Sequence, residues 1–133
     1  MHVACILYPR AEANSDFNME HYLAVHLKLG FGLMKKLFGV APVRALVQYA
    51  TRGLDGKPAS APYLVICQVV FESRAHLDLF LDVFRNEAAA RALAADWPNY
   101  CPQSPEIVIG EFLELPGVQI LEGADQVIAG VKL

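Results

Sequence analysis

The chain has 133 residues, of which 55% are hydrophobic and 19% charged, and its formal net charge is −3. This length predicts one domain with a core of its own, and only 11 basic residues spread along an acidic chain argue against a nucleic-acid-binding face. No apolar run approaches the ~20 residues that a membrane-spanning helix needs, and no N-terminal leader pattern is visible. These features predict a cytoplasmic protein without a membrane or nucleic-acid partner.

The three cysteines predict neither a disulfide framework nor a metal site, because their number is odd and their spacing is not that of paired ligands. Cys5 and Cys67 fall in apolar runs and are interpreted as buried side chains. Cys101 lies in a predicted loop and is the only one of the three expected to be reactive. No bound metal is expected.

The first half of the chain predicts a strand, a helix and two further strands. HVACILYP (2–9) is rich in strand formers and ends at a proline. After a polar loop over 10–16, Asn18 is a suitable N-cap for a helix over 19–38, which the glycine at 39 ends. Strands follow over 43–52 and 63–71, separated by a loop rich in turn formers.

The second half predicts one helix, a loop and a last strand. Ser73 caps the helix, which is expected to be continuous because its apolar residues repeat at helical spacing as far as Ala92. The segment 96–105 holds three prolines and is predicted to be irregular, and 106–115 is a strand. The order β-α-β-β-α-β predicts an α+β, ferredoxin-like domain over 1–115 with a four-stranded antiparallel sheet and two helices on one face. Residues 116–133 form a C-terminal tail.

Both faces of the predicted sheet are apolar, although the helices can cover only one of them. In the third strand Val65, Cys67 and Val69 point one way, whereas Leu64, Ile66 and Val70 point the other. A second copy of the same sheet is the simplest cover for the free face. We therefore expect a homodimer that buries at least ~1,600 Å², with the tail reaching across to the partner subunit.

Two histidines lie five positions apart in FNMEHYLAVH (17–26). On a regular helix, His26 shares the apolar stripe with Tyr22, whereas His21 shares a solvated edge with Lys28. His26 is therefore predicted to be buried between helix and sheet, and His21 to be exposed. His26 is a candidate general base, with Tyr22 one turn away to orient it; the alternative is a core histidine that bonds to a backbone carbonyl.

Four aromatic residues are candidate ligand-binding residues: Tyr8, Tyr49, Trp97 and Tyr100. Aromatic residues at strand or helix spacing usually belong to the core, which is the alternative for the first two. Trp97 and Tyr100 flank a proline in an irregular loop, where they could close over an apolar ligand.

Several segments together resemble the EthD-like family of dimeric α+β barrel proteins. The matching pieces are ILYP, FNMEHYLAVHLKL, FESRAHLDLF and ADWPNYCPQSPEIVIGE, and the step from Tyr22 to His26 is the most characteristic. The resemblance implies subunits that pair into a dimeric barrel, in proteins found beside oxidative degradation systems, such as those for ethers, and in aromatic polyketide pathways. Lys28 stands where relatives commonly have proline, so the helix is expected to be straighter beyond His26.

These observations predict a homodimer that binds or transforms a small apolar, aromatic or polyketide-like compound, with His26 as general base or anchor. If it is an enzyme, a cofactor-independent oxidoreductase, isomerase or decarboxylase type is expected. A non-catalytic accessory or carrier dimer for a partner oxygenase is the first alternative. A haem protein with His26 as axial ligand is the second, because the wider superfamily includes some haem proteins.

Overall fold

The computed structural model describes residues 1–12 and 15–133, so part of the polar loop predicted over 10–16 lies outside the described residues. Its strands are β1 (His2–Pro9), β2 (Arg44–Gln48), β3 (Tyr63–Phe71) and β4 (Glu106–Glu111). The first and third match the prediction, whereas the predicted second and fourth strands extend beyond the observed ones.

The four strands form one antiparallel sheet in the order β2-β3-β1-β4, which confirms the ferredoxin-like α+β fold. The register sets Cys5 opposite both Gln68 and Val108. Ala4 and Ile6, the neighbours of Cys5 along β1, face the helices and are buried. Cys5, Gln68 and Val108 therefore lie on the face of the sheet away from the helices.

The first helix, α1, runs from Met19 to Phe38, as predicted. Its cap is also as predicted, because the Asn18 side chain accepts from the His21 N–H at 3.0 Å. The helix is not regular, however: it is α-helical over Met19–His21, π-helical over Tyr22–His26 and α-helical again over Leu27–Phe38. The part of the helix beyond His26, which contains Lys28, is regularly α-helical. The irregularity lies before it, in residues 22–26, and contains no proline.

The predicted second helix is two helices, α2 (Arg74–Val83) and α3 (Glu87–Asp96). Ser73 caps the first by accepting from the His76 N–H. Asn86 interrupts the apolar pattern and caps the next, since its side chain accepts from the Ala89 N–H at 3.0 Å. The expectation of continuity is thus wrong: α2 ends at Val83, the chain turns at 84–86, and α3 begins at Glu87.

The prolines after α3 do not prevent all regular structure. Trp97–Asn99 forms a 3-10 turn that continues from α3, with a proline where its missing N–H does no harm. The Asn18 N–H donates to the Tyr100 carbonyl at 2.9 Å, which holds this segment against the start of α1.

The core lies between the helices and one face of the sheet, and the other face carries partly exposed apolar side chains. The tail forms two short helices, α4 (Gly117–Leu121) and α5 (Ala124–Ile128), whose apolar side chains are exposed. Across residues 1–12 and 15–133, no helix has the length and apolarity to cross a membrane. On the open sheet face, Leu46 and Val108 are exposed, and Cys5, Leu7 and Ile66 are partly exposed.

Candidate functional site

The π-helical turn brings the two histidines of α1 to the same partner. In a regular α-helix, residues five apart point about 140° away from each other. Here the Leu27 N–H bonds to the carbonyl of Tyr22, five residues back, and this wider turn reduces the angle between residues 21 and 26. The prediction that His21 is a solvent-facing residue is therefore wrong: its ring is partly buried and hydrogen-bonded.

Asp96, the last residue of α3, bridges both imidazoles. The distance from His21 Nε2 to Asp96 Oδ1 is 2.8 Å, and that from His26 Nδ1 to Asp96 Oδ2 is 2.9 Å. Asn99 Nδ2 donates to Oδ1 as well, at 3.2 Å. The side chains of His26 and Asp96 are only 14% and 11% exposed, so these bonds lie largely out of water.

The sequence reasoning missed Asp96, which it assigned to an irregular loop. One physical signal was present. A carboxylate at the C-terminal end of a helix meets the negative end of the helix dipole, which is an unfavourable position. Such a residue is expected to have a compensating hydrogen-bond partner, and here it has two, His21 and His26.

Burial and hydrogen bonding set the protonation of the bridge. Burial lowers the pKa of His26 from its ordinary value of 6.5, and the hydrogen bond and charge of Asp96 oppose this only in part. Burial tends to raise the pKa of Asp96, but hydrogen bonds from His21, Asn99 and His26 outweigh it, and the pKa is lowered. An ionised Asp96 can only accept, so His26 carries its proton on Nδ1 and has a lone pair on Nε2.

His26 also lines a cavity of about 230 Å³ between the helices and the edge of the sheet formed by β1 and β4. Because Nδ1 is bound to Asp96, Nε2 is the ring nitrogen available to a molecule in this cavity. Three other candidates from the sequence, Tyr8, Trp97 and Tyr100, line it too. The remaining lining residues are Ile6, Leu27, Gly30, Phe31, Phe80, Val83, Phe84, Ala90, Leu93, Ala94, Pro105 and Ile107.

The other two candidates lie elsewhere. Tyr22 is fully buried and stacks on His26, with ring centroids 5.9 Å apart, but it does not line the cavity. Its hydroxyl has no hydrogen-bond partner among the described residues. Tyr49 is 65% exposed and lies in a separate surface depression beside Arg10 and Phe17, so the structure does not bring it to the site.

The cysteines also differ from expectation. Cys101 is buried, and burial raises the pKa of its thiol, which makes it less reactive than a loop cysteine would be. Cys5 is partly exposed on the open sheet face, whereas Cys67 is buried as predicted. Within the described ranges, no three His, Cys, Asp or Glu side chains are gathered where they could hold a metal ion.

The residues present do not fit a haem. An apolar cavity of roughly 150 Å³ accommodates one benzene ring, so the cavity beside His26 cannot hold a macrocycle of four pyrrole rings. No lysine or arginine among the described residues lines it to pair with haem propionates.

Comparison with solved structures gives proteins of the kind that the sequence resemblance indicated. An EthD-like protein from Ralstonia eutropha JMP134 matches with a TM-score of 0.63 and 15% identity, over 88% of this chain and 96% of that one. An ethyl tert-butyl ether degradation (EthD) family protein from Bacillus halodurans C-125 matches with a TM-score of 0.52 and 19% identity, over 85% and 100%.

A dimeric ferredoxin-like protein of unknown function from Bacteroides fragilis NCTC 9343 gives a TM-score of 0.41 and 13% identity, over 84% of this chain and 96% of that one. No family model and no curated protein matches the chain. The structural neighbours are thus EthD-like, as predicted, and at these identities they establish the fold.

Proposed function

We propose that this chain is an EthD-like protein in which His26, held by Asp96, acts as a general base on a small uncharged compound in the cavity. The supporting observation is the bond between His26 Nδ1 and Asp96 Oδ2 at 2.9 Å, on a histidine that lines an otherwise apolar cavity. The carboxylate fixes the tautomer and orientation of the ring, and the low pKa of His26 keeps Nε2 unprotonated at neutral pH.

The step is a proton transfer to His26. A C–H or O–H proton of the bound compound passes to Nε2, and the electron pair stays on the compound as an enolate or similar anion. The imidazolium that forms is stabilised by Asp96, and it returns a proton to the anion or to water. This step requires no cofactor. It could serve an isomerisation or a cofactor-independent oxidation in which O₂ is the oxidant.

The proposal includes a homodimer formed through the open face of the sheet. Leu46 and Val108 are 47% and 57% exposed on this face, and Cys5, Leu7 and Ile66 continue the patch. A second sheet would remove these side chains from water. The exposed apolar residues of α4 and α5 are proposed to contact the partner as well. The cytoplasmic location and the lack of a nucleic-acid partner stay predictions from composition.

Deuterium exchange into an enolisable ketone tests the base directly. We expect the protein to accelerate exchange of the α-protons of phenylacetone in D₂O, followed by proton NMR, and His26→Gln to lose about 10²–10⁴-fold of this rate. Gly30→Leu is the matched variant that tests whether exchange takes place inside the cavity. A Cβ at Gly30 has room, 3.8 Å from Leu93 Cδ2, so we expect the longer side chain to fill the cavity and leave the His26–Asp96 pair intact. It should abolish exchange.

Exchange that is equal in the wild type and His26→Gln would overturn the general-base role. The carrier alternative makes a different prediction, namely that phenylacetone binds, as measured by ligand-detected NMR, without any acceleration of exchange. Circular dichroism is recorded for each variant to check that it is folded before either outcome is interpreted.

A further inference from the structure

The aromatic residues around the cavity fall into two separate groups. Tyr8, Tyr22 and Tyr100 contact one another. Tyr22 and Tyr100 also contact the ring of His26, with the centroids of His26 and Tyr100 only 4.4 Å apart. Phe80 forms the centre of a second group with Phe31, Phe71 and Phe84. In the part of the chain that the structure describes, no ring contact joins the two groups. The cavity therefore has a wall with hydrogen-bonding groups and a wall of hydrocarbon.

The polar wall can both accept and donate a hydrogen bond. His26 Nε2 accepts, because Nδ1 holds the proton. The hydroxyls of Tyr8 and Tyr100 share one bond, 3.4 Å long, and both residues line the cavity. Two hydroxyls that share one bond keep one hydrogen, which a ligand in the cavity can accept in competition with the nearby Tyr22 hydroxyl. Burial raises the pKa of both tyrosines, so this hydrogen stays in place. A group that donates to His26 and accepts from the tyrosine pair is a hydroxyl.

Charge excludes an anionic ligand. No side chain that lines the cavity, among those described, is a lysine or arginine, and the group bonded to His26 behind the wall is the carboxylate of Asp96. A carboxylate brought into this cavity would lose its hydration without gaining a cationic partner. The ligand is therefore uncharged.

Size favours a ligand with one ring. The cavity of about 230 Å³ exceeds the roughly 150 Å³ that holds benzene by enough for a short substituent. Because the cavity is partly open to solvent, a much larger ligand would extend out of it.

We propose that the cavity recognises an uncharged single-ring phenol, with its hydroxyl between His26 and the Tyr8–Tyr100 pair and its ring against Phe31 and Phe80. The proposal rests on the proposed function of the same cavity and names the class of compound. A phenol hydroxyl has an ordinary pKa near 10, so it enters neutral and can donate to the base.

The single tryptophan of the chain, Trp97, lines this cavity, and its fluorescence reports binding without a label. The probes are 4-ethylphenol, ethylbenzene and 4-ethylbenzoate, which differ only in the group para to the ethyl chain. We expect 4-ethylphenol to bind about three- to tenfold tighter than ethylbenzene, the worth of one or two net hydrogen bonds. 4-Ethylbenzoate should bind more weakly than either.

Tyr100→Phe removes one hydroxyl and keeps the ring. It should lower the affinity for 4-ethylphenol by about threefold or more and leave that for ethylbenzene unchanged. Tyr49→Phe, the same change outside the cavity, should alter neither. If Tyr100→Phe does not fold, as judged by circular dichroism, Tyr8→Phe replaces it.

Equal affinities of the wild type for 4-ethylphenol and ethylbenzene would overturn hydroxyl recognition but leave a ligand-binding cavity. Tightest binding of 4-ethylbenzoate would overturn the charge argument. If none of the three binds, by fluorescence and by ligand-detected NMR, the proposed function of the cavity fails together with this inference.

Discussion

Asp96→Asn separates the charge of the bridging residue from its shape. The carboxylate accepts one bond from each histidine and a longer one from Asn99. An asparagine amide has only one oxygen, so it can accept from one imidazole and must present its NH₂ group to the other. If that other is His26, Nδ1 has to become an acceptor, the proton moves to Nε2, and the ring can no longer accept a proton from the cavity.

The cost to stability follows from the burial of the bridge. Hydrogen bonds to a charged group contribute about 1.5–3 kcal/mol each and neutral ones about 0.5–1.5 kcal/mol, and the amide can keep the two histidine bonds only in the neutral form. We expect a loss of about 2–3 kcal/mol at pH 7, or a Tm lower by about 6–12 °C for a chain of this length. Asp82→Asn is the control: it makes the same chemical change in an exposed pair with Arg85, which contributes about 0.5 kcal/mol or less.

Two measurements check the prediction. Calorimetry gives the Tm of each variant, and long-range proton–nitrogen NMR identifies which nitrogen of His26 carries the proton. The pKa of His26 should fall further in Asp96→Asn, because burial continues to lower it and the opposing charge is gone. A Tm no lower than that of Asp82→Asn, together with an unchanged tautomer of His26, would refute the idea that Asp96 positions this ring.

Three further predictions concern pH, a buried hydroxyl and the open sheet face. The pKa of His26 in the folded protein lies below 6.5, so as the pH drops the unfolded chain binds a proton at this residue before the folded protein does. Stability should therefore fall from about pH 6.5 down through the folded pKa. In His26→Gln this part of the fall in Tm should be missing. Tyr22→Phe should leave stability in urea unchanged or raise it by up to about 1 kcal/mol, since the hydroxyl lost has no hydrogen-bond partner among the residues that the structure describes; a clear loss would mean that the hydroxyl is bonded. Val108→Glu should convert a dimer to a monomer in light scattering, whereas Leu54→Glu, a change at an exposed loop residue outside the sheet, should not.

The fold was predictable because its determinants are local. Asn18, Ser73 and Gly39 mark helix ends through caps and a left-handed turn, and all three act as predicted. The antiparallel order of the strands follows from short connections and the two helical crossovers. The break at Asn86 was missed because an apolar repeat at helical spacing continues on both sides of it, and the repeat outweighed the capping signal of one asparagine.

The site was predictable only in part, because it depends on a departure from regular geometry. The position of His26 between helix and sheet follows from the stripe that it shares with Tyr22. The role of His21 could not be predicted, because a period of 3.6 residues places it on a different face of the helix from His26. Nothing in the sequence of residues 22–26 indicates a π-helical turn. Asp96 lies 70 residues further along, and only the folded chain shows that it meets both rings.

Several features that lower stability converge beside this cavity. A π-helical turn is less favourable than a continuous α-helix, and Asp96 opposes the dipole of its own helix. The Tyr22 hydroxyl is buried and has no hydrogen-bond partner within residues 1–12 and 15–133. A sequence selected only for packing would have an apolar residue at position 26, a phenylalanine at 22 and a neutral end to α3. Unfavourable features tend to persist where they are part of a site and the surrounding structure compensates for them. Here each of them lies at or next to the histidine that lines the cavity, and the hydrogen bonds of the bridge offset part of their cost.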